Sequence, residues 1–331
     1  MAERIHKSLF PLLRRLSDGR FHSGEALARE FGLSRASISN VLGQAAAVGL
    51  AVHAVRGRGY RLPEVVEWLD CGRVVALLGP VAKAYRLACV DTLASTNTTL
   101  MTGAPGMDRD GSVLCAEHQQ AGKGRRGRDW HSVVGGSLTF SVLWRFDNGL
   151  QSLGGLSLAA GLAVARAVNR HSIHPARLKW PNDVLVGYRK LAGILVEVQG
   201  DPLGAAIAVV GVGLNVRLGP GQRDAVDQAL VDLAEMGVTA GRNQLLADCL
   251  KELDGVMTRF RRDGFAALRE DWLALDAYAG KHVSLRFSEN RRVSGVAAGV
   301  DATGALLLRD RQSQLHAYNG GEISLRLEAA S

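Results

Sequence analysis

The segment AGKGRRGRDW, residues 121–130, combines glycines, which let a backbone approach a ligand closely, with cations that can bind an anion. Its core GKGRRG fits the G-x-G-x-x-G pattern of dinucleotide-binding turns. That use requires a helix after the glycines, because aligned N–H groups at a helix N-terminus hold the pyrophosphate. The residues after Trp130 predict a loop and then a strand. We therefore expect a basic loop that orders around a different anionic ligand, with a solvated surface loop as the alternative.

A second segment, RLKWPNDVLVGYRKLAGILVEV (177–198), predicts a hairpin interrupted by a proline. Polar residues flank its turn: Lys179, Asn182, Asp183 and Lys190. Gly193 lies among apolar strand residues, which indicates a backbone that another group approaches closely. In a third segment, DTLASTNTTL (91–100), three consecutive polar residues could line a pocket or cap the following helix, and capping is the commoner role. These are Ser95, Thr96 and Asn97.

The elements that must position these residues belong to a large domain. Residues 70 to about 270 mix apolar strands with amphipathic helices, which predicts an α/β or α+β fold. The expected strands include 112–118, 138–144, 194–198 and 206–216, and the expected helices lie near 153–170 and 243–262. Beyond Tyr278, short alternating runs between Gly, Asp and Asn turns predict a small β-barrel. The runs are HVSLRF, RVSGVAA, ALLLRD, QLHAY and EISLRL.

The first 67 residues carry ten Lys or Arg against six Asp or Glu, about half of the chain's net charge of +8. SGEALAREFG (23–32) and LSRASISNVLGQAAAVG (33–49) predict two capped helices joined by a short turn, a helix-turn-helix over about 24–43. LAVHAVRGRGYRLP (50–63) predicts two strands around a glycine tip, which would complete a winged helix. Pro11 is expected to break or kink the first helix. Candidate DNA contacts are Ser34, Arg35, Ser37, Asn40, Arg56 and Arg58.

Composition is ordinary for a globular protein, with 47% apolar and 22% charged residues. The longest apolar runs, such as 74–82 and 156–165, are shorter than the roughly 20 residues that span a bilayer, and the N-terminus does not resemble a signal peptide. We therefore expect no membrane association. No C-x-x-C pair is present for zinc or redox chemistry, and the separated cysteines suit a reducing cytoplasm. They are Cys71, Cys89, Cys115 and Cys249.

Together the motifs resemble the bifunctional biotin protein ligase and biotin operon repressor family over nearly the whole chain. The matching stretches are FHSGEALAREFGLSRASIS, RGRGYRLP, STN, HQQAGKGRRGRDW, KWPNDV, RKLAGILVE, GVGLNV, GALLL and GGEISLR. The resemblance implies a multidomain α+β protein. Its expected parts are a winged helix-turn-helix domain (1–66), a central α/β ligase domain of the class II synthetase-like type (67–275) and a C-terminal SH3-like β-barrel (276–331).

The resemblance also implies an activity and its partners. Biotin and MgATP would form biotinyl-5'-adenylate, and biotin would then pass to a lysine of a biotin carboxyl carrier protein. The adenylate-bound protein would form a homodimer in the cytoplasm and bind operator DNA of biotin biosynthesis genes. Mg²⁺ would arrive with ATP, and its protein ligands are unknown.

Residue roles follow from the resemblance position by position. Ser95, Thr96, Asn97 and Gln119 would hold biotin, and Lys123, Gly124 and Arg125 would order over the ligand. Lys190 would contact the carboxylate or phosphate end, with Gly193 and Asn215 completing the binding set. The expected catalytic set is Arg125, Lys190, Asp183 and Lys179. Asp183 would orient or deprotonate the acceptor amine, or else help to organise the metal.

Two departures from the family pattern are present. Lys123 stands where arginine is common, which keeps the charge and removes a bidentate donor. In RLGPGQRDAVDQALVDL (217–233), the expected adenine-covering loop, Leu230 stands where a relative can place an aromatic ring. Two other functions stay open on the sequence: a ligand-sensing transcriptional repressor without ligase activity, and a lipoate ligase, although GRRGRDW and KWPND favour biotin.

Overall fold

The computed structural model describes residues 5–103, 106–224, 228–287, 291–319 and 324–327. Its first elements are α1 (Leu9–Leu16), α2 (Gly24–Phe31), α3 (Arg35–Gly43), β1 (His53–Val55) and β2 (Gly59–Arg61). Ser23 Oγ caps α2 by accepting from the Ala26 amide at 3.0 Å, and Ser34 Oγ caps α3 by accepting from the Ser37 amide at 3.0 Å. Gly32 ends α2 in a left-handed conformation. The predicted helix-turn-helix and its wing are confirmed.

A proline and a glycine shape this domain locally. Helix α1 begins two residues before Pro11, so the expected break or kink does not occur. Pro11 lies in the first turn, where a backbone amide has no acceptor within the helix. At the wing, Gly59 has a φ of +102°, and a Cβ there would overlap the carbonyl of His22. That carbonyl accepts from the Tyr60 amide at 2.9 Å and ties the wing to the preceding chain.

A seven-stranded sheet forms the centre of the protein, in the order β3-β4-β5-β9-β8-β7-β6. Its strands are β3 (Arg86–Leu93), β4 (Ser112–Gln119), β5 (Ser137–Phe146), β6 (Arg177–Lys179), β7 (Asp183–Val186), β8 (Arg189–Gly200) and β9 (Ala206–Asn215). The β3–β4 pair is parallel and the other pairs are antiparallel. The helices with it are α4 (Cys71–Leu78), α5 (Thr96–Met101), α6 (Leu156–Asn169), α7 (Pro220–Asp224), α8 (Arg242–Asp263) and α9 (Arg269–Leu273).

The sheet is covered on both faces because its strands alternate apolar residues toward each side. Val113 and Cys115 of β4 belong to the main core with α6 and α8, while Leu114, between them, packs with Leu100 of α5. The segment Leu150–Asn169 has the length and apolar composition of a membrane span, and 67% of the tested window is buried inside the protein. It contains α6, which lies against α8 as a core helix.

The C-terminal strands form a second, antiparallel sheet in the order β13-β12-β11-β10-β14. They are β10 (His282–Arg286), β11 (Arg292–Val300), β12 (Leu306–Arg309), β13 (Leu315–Tyr318) and β14 (Ser324–Leu327). The predicted runs are therefore confirmed as strands, while residues 288–290 and 320–323, which include the start of EISLRL, lie outside the described residues. Closure of this sheet into a barrel stays a prediction.

The cysteines differ from the expectation. Cys71, the first residue of α4, forms a disulfide with Cys89 of β3, and their Cα atoms are 6.0 Å apart. Cys115 and Cys249 are free and buried. The sequence concealed the pair because its two members are separated by 18 positions, and only the packing of α4 beside β3 brings them together.

The winged helix and the central domain share buried contacts. Val134, from the loop between β4 and β5, lies in the apolar core of the N-terminal domain, and its amide donates to the Val48 carbonyl at 3.1 Å. Arg242 of α8 is 2% exposed and pairs with Glu117 of β4 at 2.8 Å. Its guanidinium also donates to the carbonyl of Glu67 in the linker between the two domains. A buried charge with such partners holds the linker in place.

Candidate active site

A cleft lies over β8 and β9, between the start of α5 and the loop that follows β4, with about 990 Å³ of space including its open mouth. The structure brings every residue of the predicted binding set to its lining: Ser95, Thr96, Asn97, Gln119, Lys123, Gly124, Arg125, Lys190, Gly193 and Asn215. Segments far apart in the chain thus converge on one place.

Glycines of β9 form part of the floor. Gly211 and Gly213 are two positions apart and so face the same side of the sheet. A Cβ at Gly211 would overlap the side-chain amide of Asn97, and a Cβ at Gly213 would overlap the ring of Trp130. The missing side chains therefore allow Asn97 and Trp130 to lie directly on the strand.

A buried hydrogen-bond network fixes one end of the cleft. The amide and the Oγ1 of Thr96 both donate to Gln119 Oε1, at 2.7 and 3.0 Å. Ser141 Oγ lies 2.6 Å from Thr96 Oγ1 and 2.6 Å from Asn97 Oδ1. Asn97 Nδ2 donates to Glu197 Oε2 at 2.9 Å. These side chains hold one another in set orientations, which is what recognition of a polar ligand head requires.

The two roles weighed for the STN segment are both present. Ser95 Oγ caps α5 by accepting from the Thr98 amide at 3.4 Å. Ser95, Thr96 and Asn97 are each 3% exposed and line the cleft. A cap therefore sets the position of the helix end from which the other two side chains reach the pocket.

The basic loop folds as a small hairpin at the cleft. The Trp130 amide donates to the Gly122 carbonyl at 2.8 Å, and the Gly124 amide donates to the Arg128 carbonyl at 2.6 Å. A single 3-10 turn, Arg125–Gly127, is the helical structure in this loop. Such a turn lacks the aligned amides of an α-helix N-terminus, and the chain continues from it through a loop into β5, as the sequence predicted.

Arg125 joins the loop to the KWPND segment. Its Nη1 donates to Asn182 Oδ1 at 3.1 Å. Asn182 Nδ2 in turn donates to the Ile194 carbonyl at 3.0 Å, which anchors the amide to β8. The guanidinium is therefore held at the cleft by a side chain that is itself fixed to the sheet.

Behind the cleft wall, Asp183 lies between two ammonium groups. Its Oδ1 is 2.8 Å from Lys190 Nζ, and its Oδ2 is 3.9 Å from Lys179 Nζ. Burial alone would raise the pKa of Asp183, but Lys190 and Lys179 hold that pKa below its usual value. Burial lowers the pKa of Lys179 to about 8, against the opposing effect of Asp183. The cluster thus combines an ionised carboxylate with an amine that exchanges its proton near neutral pH.

Lys190 is the member of this cluster that reaches the cleft lining, whereas Lys179 and Asp183 stand behind it. A Cβ at Gly193 would lie 3.1 Å from Lys190 Nζ, so the predicted close approach to this glycine is confirmed and the approaching group is a lysine. Lys190 Nζ is also 5.8 Å from the Trp130 ring centroid, within the range of a cation–π contact.

Asn215 holds backbone rather than pointing a free amide at the cleft. Its Nδ2 donates to the carbonyls of Lys190 and Val231, each at 3.2 Å. The Lys190 amide donates to the Ala229 carbonyl at 2.8 Å, and the Lys190 carbonyl accepts from the Val231 amide at 3.0 Å. These two bonds flank Leu230. Leu230 thereby reaches the cleft lining, where an adenine-facing residue was expected. Residues 225–227 of the same segment lie outside the described residues.

The part of the chain that the structure describes contains no group of three or more His, Cys, Asp or Glu side chains able to hold a metal ion. Asp183, the carboxylate of the cluster beside the cleft, is already paired with two lysines. This donor set does not form a protein-built metal cage, because hard cations such as Mg²⁺ require several oxygen ligands.

The candidate DNA contacts lie on the outer face of α3 and on the wing. Arg35, Asn40, Arg56 and Arg58 are exposed. Arg58 lies over the ring of Phe21, 4.2 Å from its centroid, which supports its position without removing its charge from solvent. Ser34 and Ser37 differ from the expectation in one respect, because their hydroxyls bond each other at 2.8 Å as part of the α3 cap.

Sequence reasoning missed several lining residues. Trp130 was quoted with its loop but given no role, although its ring lies on Gly213 and its buried Nε1 has no hydrogen-bond partner. The alternation Gly-x-Gly-x-Asn in GVGLN (211–215) was a usable signal, because residues two apart face one side of a strand. Ser141, which does not line the cleft but bonds Thr96 and Asn97, carried no signal, since one serine within an apolar strand is an ordinary feature.

Three family models match the chain in order. A model described as an HTH domain matches residues 9–61, one described as the biotin/lipoate A/B protein ligase family matches 91–215, and one described as the biotin protein ligase C terminal domain matches 278–326. These correspond to the winged helix, to most of the central sheet with its cleft, and to the C-terminal sheet.

Similar whole proteins give the same picture. The bifunctional ligase/repressor BirA of Salmonella typhimurium is 37% identical over 315 residues, covering 95% of this chain and 96% of that protein. A biotin acetyl-CoA-carboxylase ligase of Mycobacterium tuberculosis is 39% identical over 238 residues, covering 70% of this chain and 86% of that protein. A biotin protein ligase from Aquifex aeolicus, solved in complex with biotin and ATP, is 27% identical with a TM-score of 0.62, covering 73% of this chain and 99% of that chain.

Because the likeness to the bifunctional relative extends from the winged helix through the cleft to the C-terminal sheet, the chain belongs to the family of bifunctional biotin protein ligases and repressors, and it is a ligase.

Proposed function

We propose that the chain activates biotin with ATP to biotinyl-5'-AMP and transfers biotin to a lysine of a biotin carboxyl carrier protein. One observation carries this proposal: the residues expected to bind biotin and its adenylate, drawn from four separate segments, line a single cleft. A lipoate ligase is the competing activity, because the matching family model covers both biotin and lipoate ligases. The buried polar network at one end of the cleft favours biotin, whose ring system carries hydrogen-bonding groups.

In the first step, the polar network of Thr96, Asn97 and Gln119, with Ser95 at its edge, holds the biotin head. Its amide and hydroxyl groups are pinned by one another and by Glu197, so little ordering is needed when the ligand binds. Gly211 and Gly213 let Asn97 and Trp130 lie directly on β9, which places both side chains at the cleft.

The reacting groups of this step are anions, because a carboxylate attacks an α-phosphate. Arg125, Lys123 and Lys190 supply positive charge that offsets the repulsion and stabilises charge on the transferring group. Mg²⁺ would arrive with ATP and would offset further negative charge on its phosphates; the described residues form no carboxylate cage for it. Closure of the loop around Gly124 excludes water from the mixed anhydride that results.

In the second step, Asp183 orients or deprotonates the amine of the acceptor lysine. Its carboxylate already forms ion pairs with ammonium groups on two sides, which suits it to an amine better than to a metal ion. Burial lowers the pKa of Lys179 to about 8, so this amine, beside Asp183, exchanges its proton closer to neutral pH than an ordinary lysine. Asn215 acts as a positioning residue through the backbone of Lys190.

We further propose that the adenylate-bound chain forms a homodimer that binds operator DNA and represses biotin biosynthesis genes. The exposed cations of the winged helix, Arg35, Arg56 and Arg58, support contact with phosphates. Both the carrier protein and the operator would place the chain in the cytoplasm. The proposed domains are residues 1–66, 67–275 and 276–331, with a class II synthetase-like central domain and an SH3-like C-terminal barrel.

Incubation of the purified chain with biotin, MgATP and a biotin carrier domain tests the ligase. We expect a carrier heavier by one biotinyl group, biotin-dependent pyrophosphate exchange, and no transfer when lipoate replaces biotin. Absence of exchange together with tight biotin binding would point to a ligand-sensing repressor, and preferential lipoate transfer would point to a lipoate ligase. A gel shift on the biosynthetic promoter, with and without biotin plus ATP, tests repression separately.

A further inference from the structure

Two half-buried cysteines meet at the joint between the winged helix and the central domain. Cys71 is the first residue of α4 and follows directly on the linker 67–70. Cys89 lies in β3, at the edge of the central sheet. Their Cα separation of 6.0 Å is within the range that a disulfide spans, and the two sulfur atoms are bonded. Neither residue lines the ligand cleft.

Both segments that this bond joins contact helix α1 or the residue that follows it. Trp68, three residues before Cys71, donates from Nε1 to Ser17 Oγ at 2.8 Å. Asp91, two residues after Cys89, pairs with Arg14 of α1 at 2.5 Å. Arg14 also lies over the Trp68 ring, 4.5 Å from its centroid, so one side chain of the DNA-binding domain spans both segments. The disulfide therefore links the two segments that hold Arg14.

The remaining cysteines are not competitors for oxidation. Cys115 and Cys249 are 0% exposed. Burial raises the pKa of Cys249 to about 12 and that of Cys115 even further, which suppresses the reactive thiolate in both. Thiol chemistry in this chain is thereby confined to the pair at the joint.

We propose that Cys71 and Cys89 form a reversible redox site, whose disulfide stabilises the contacts of Trp68 and Asp91 with the DNA-binding domain. In a reducing compartment such as the proposed cytoplasm, protein disulfides are usually transient and redox-sensing. The oxidant is a low-molecular-weight disulfide of the glutathione class. Each protein thiol loses its proton, the sulfur–sulfur bond forms by thiol–disulfide exchange, and the oxidant takes the two electrons and leaves as two thiols.

Reduction breaks the Cys71–Cys89 bond and leaves the fold intact, because other contacts remain. The Leu69 amide still donates to Glu117 at 2.6 Å, and the Asp70 amide to Asn243 at 2.8 Å. Val74 and Leu78 of α4 stay in the main core. Reduction allows the first turn of α4 to move away from β3. This movement weakens the contacts of Arg14 with Trp68 and Asp91.

The first experiment maps the bond in the full-length chain. After treatment with oxidised glutathione and blocking of free thiols, peptide mass spectrometry should find Cys71 linked to Cys89, with Cys115 and Cys249 reduced. Dithiothreitol should return both members of the pair to thiols. Recovery of Cys71 and Cys89 as free or glutathionylated thiols after oxidation, without the link, would overturn the proposal.

The second experiment measures hydrogen exchange of the linker and of α1 in the oxidised and the reduced chain. Amides in residues 67–75 and 9–16 should exchange at least about threefold faster after reduction, because local opening costs less when the tie is absent. Cys71→Ser should match the reduced chain under both conditions, and oxidation should raise the melting temperature of the wild type alone by several degrees. Equal hydrogen exchange in both redox states would refute the proposal that the disulfide stabilises these segments. Pyrophosphate exchange should be the same in both states, so a chain without ligase activity would fail the proposed function and leave this test intact.

Discussion

Replacement of Arg125 by glycine should shorten the lifetime of the bound adenylate without unfolding the loop. Arg125 Nη1 is held by Asn182 at 3.1 Å, and Asn182 is anchored to β8. The guanidinium is thus positioned at the cleft. The hairpin bonds Trp130 N to Gly122 O and Gly124 N to Arg128 O use only backbone atoms, so they remain in the variant.

The size of the effect follows from the bonds that are lost. A hydrogen bond to a charged group contributes about 1.5 to 3 kcal/mol net, which corresponds to roughly a 10- to 150-fold change in dissociation. Removing the guanidinium deletes one such bond to the adenylate and leaves Asn182 Oδ1 without this donor. We therefore expect the adenylate to leave Arg125→Gly about 10- to 150-fold faster than the wild type.

A matched control lies one position away. Arg126 is exposed and has a φ of +61°, a left-handed conformation that glycine adopts more readily than arginine. Arg126→Gly therefore removes the same charge and side chain from the same loop without straining it. The assay chases preformed, radiolabelled biotinyl-adenylate with unlabelled biotin and follows its release. Release from Arg125→Gly no faster than from Arg126→Gly would refute the specific role of Arg125.

Three further predictions concern other parts of the chain. Gly213→Ala would push its Cβ into the Trp130 ring, at an overpacking cost of about 1 to 3 kcal/mol. Calorimetry should then show biotin binding that is roughly 5- to 150-fold weaker. The control Gly255→Ala, whose Cβ meets open space in α8, should bind biotin normally. Burial raises the pKa of Asp276 from 3.8 to about 6, so the folded state keeps a proton that the unfolded state has lost, and stability falls as pH rises from 4 to 6. Asp276→Asn should recover about 3 kcal/mol in urea unfolding at pH 8 and nothing at pH 4, and an equal effect at both pH values would exclude this cause. Arg56→Ala should lower the slope of log K against log salt for operator binding by about 1 and leave carrier labelling unchanged; an unchanged slope would show that Arg56 does not contact a phosphate.

Local sequence signals were sufficient for elements whose limits depend on neighbouring residues. Ser23, Gly32 and Ser34 set the ends of the two helices of the helix-turn-helix, because caps act through bonds three or four positions away. Pro11 misled for the opposite reason, since its effect depends on where the helix begins. That starting point is decided by the packing of α1, not by the proline.

Motifs also identified residues that line the cleft but not their partners. Asn97, Gln119 and Arg125 could be named from their segments, yet their bonds to Glu197, Thr96 and Asn182 join positions distant in the chain. Part of the list of lining residues was therefore accessible before the structure, while the network that orients them was not. The assignment of Asn215 shows the difference, because its amide serves the backbone of the neighbouring strand and loop.

The sequence by itself determined the order of the three segments, the helix-turn-helix and ten of the residues that line the cleft, because caps, alternation and motif wording are properties of contiguous residues. Only the tertiary structure decided that Asp183 lies between two lysines, that Lys179 has its pKa lowered to about 8, and that Cys71 meets Cys89. Each of these depends on burial and on distances between atoms of separate elements. Such quantities come into existence when the sheet and its helices pack together.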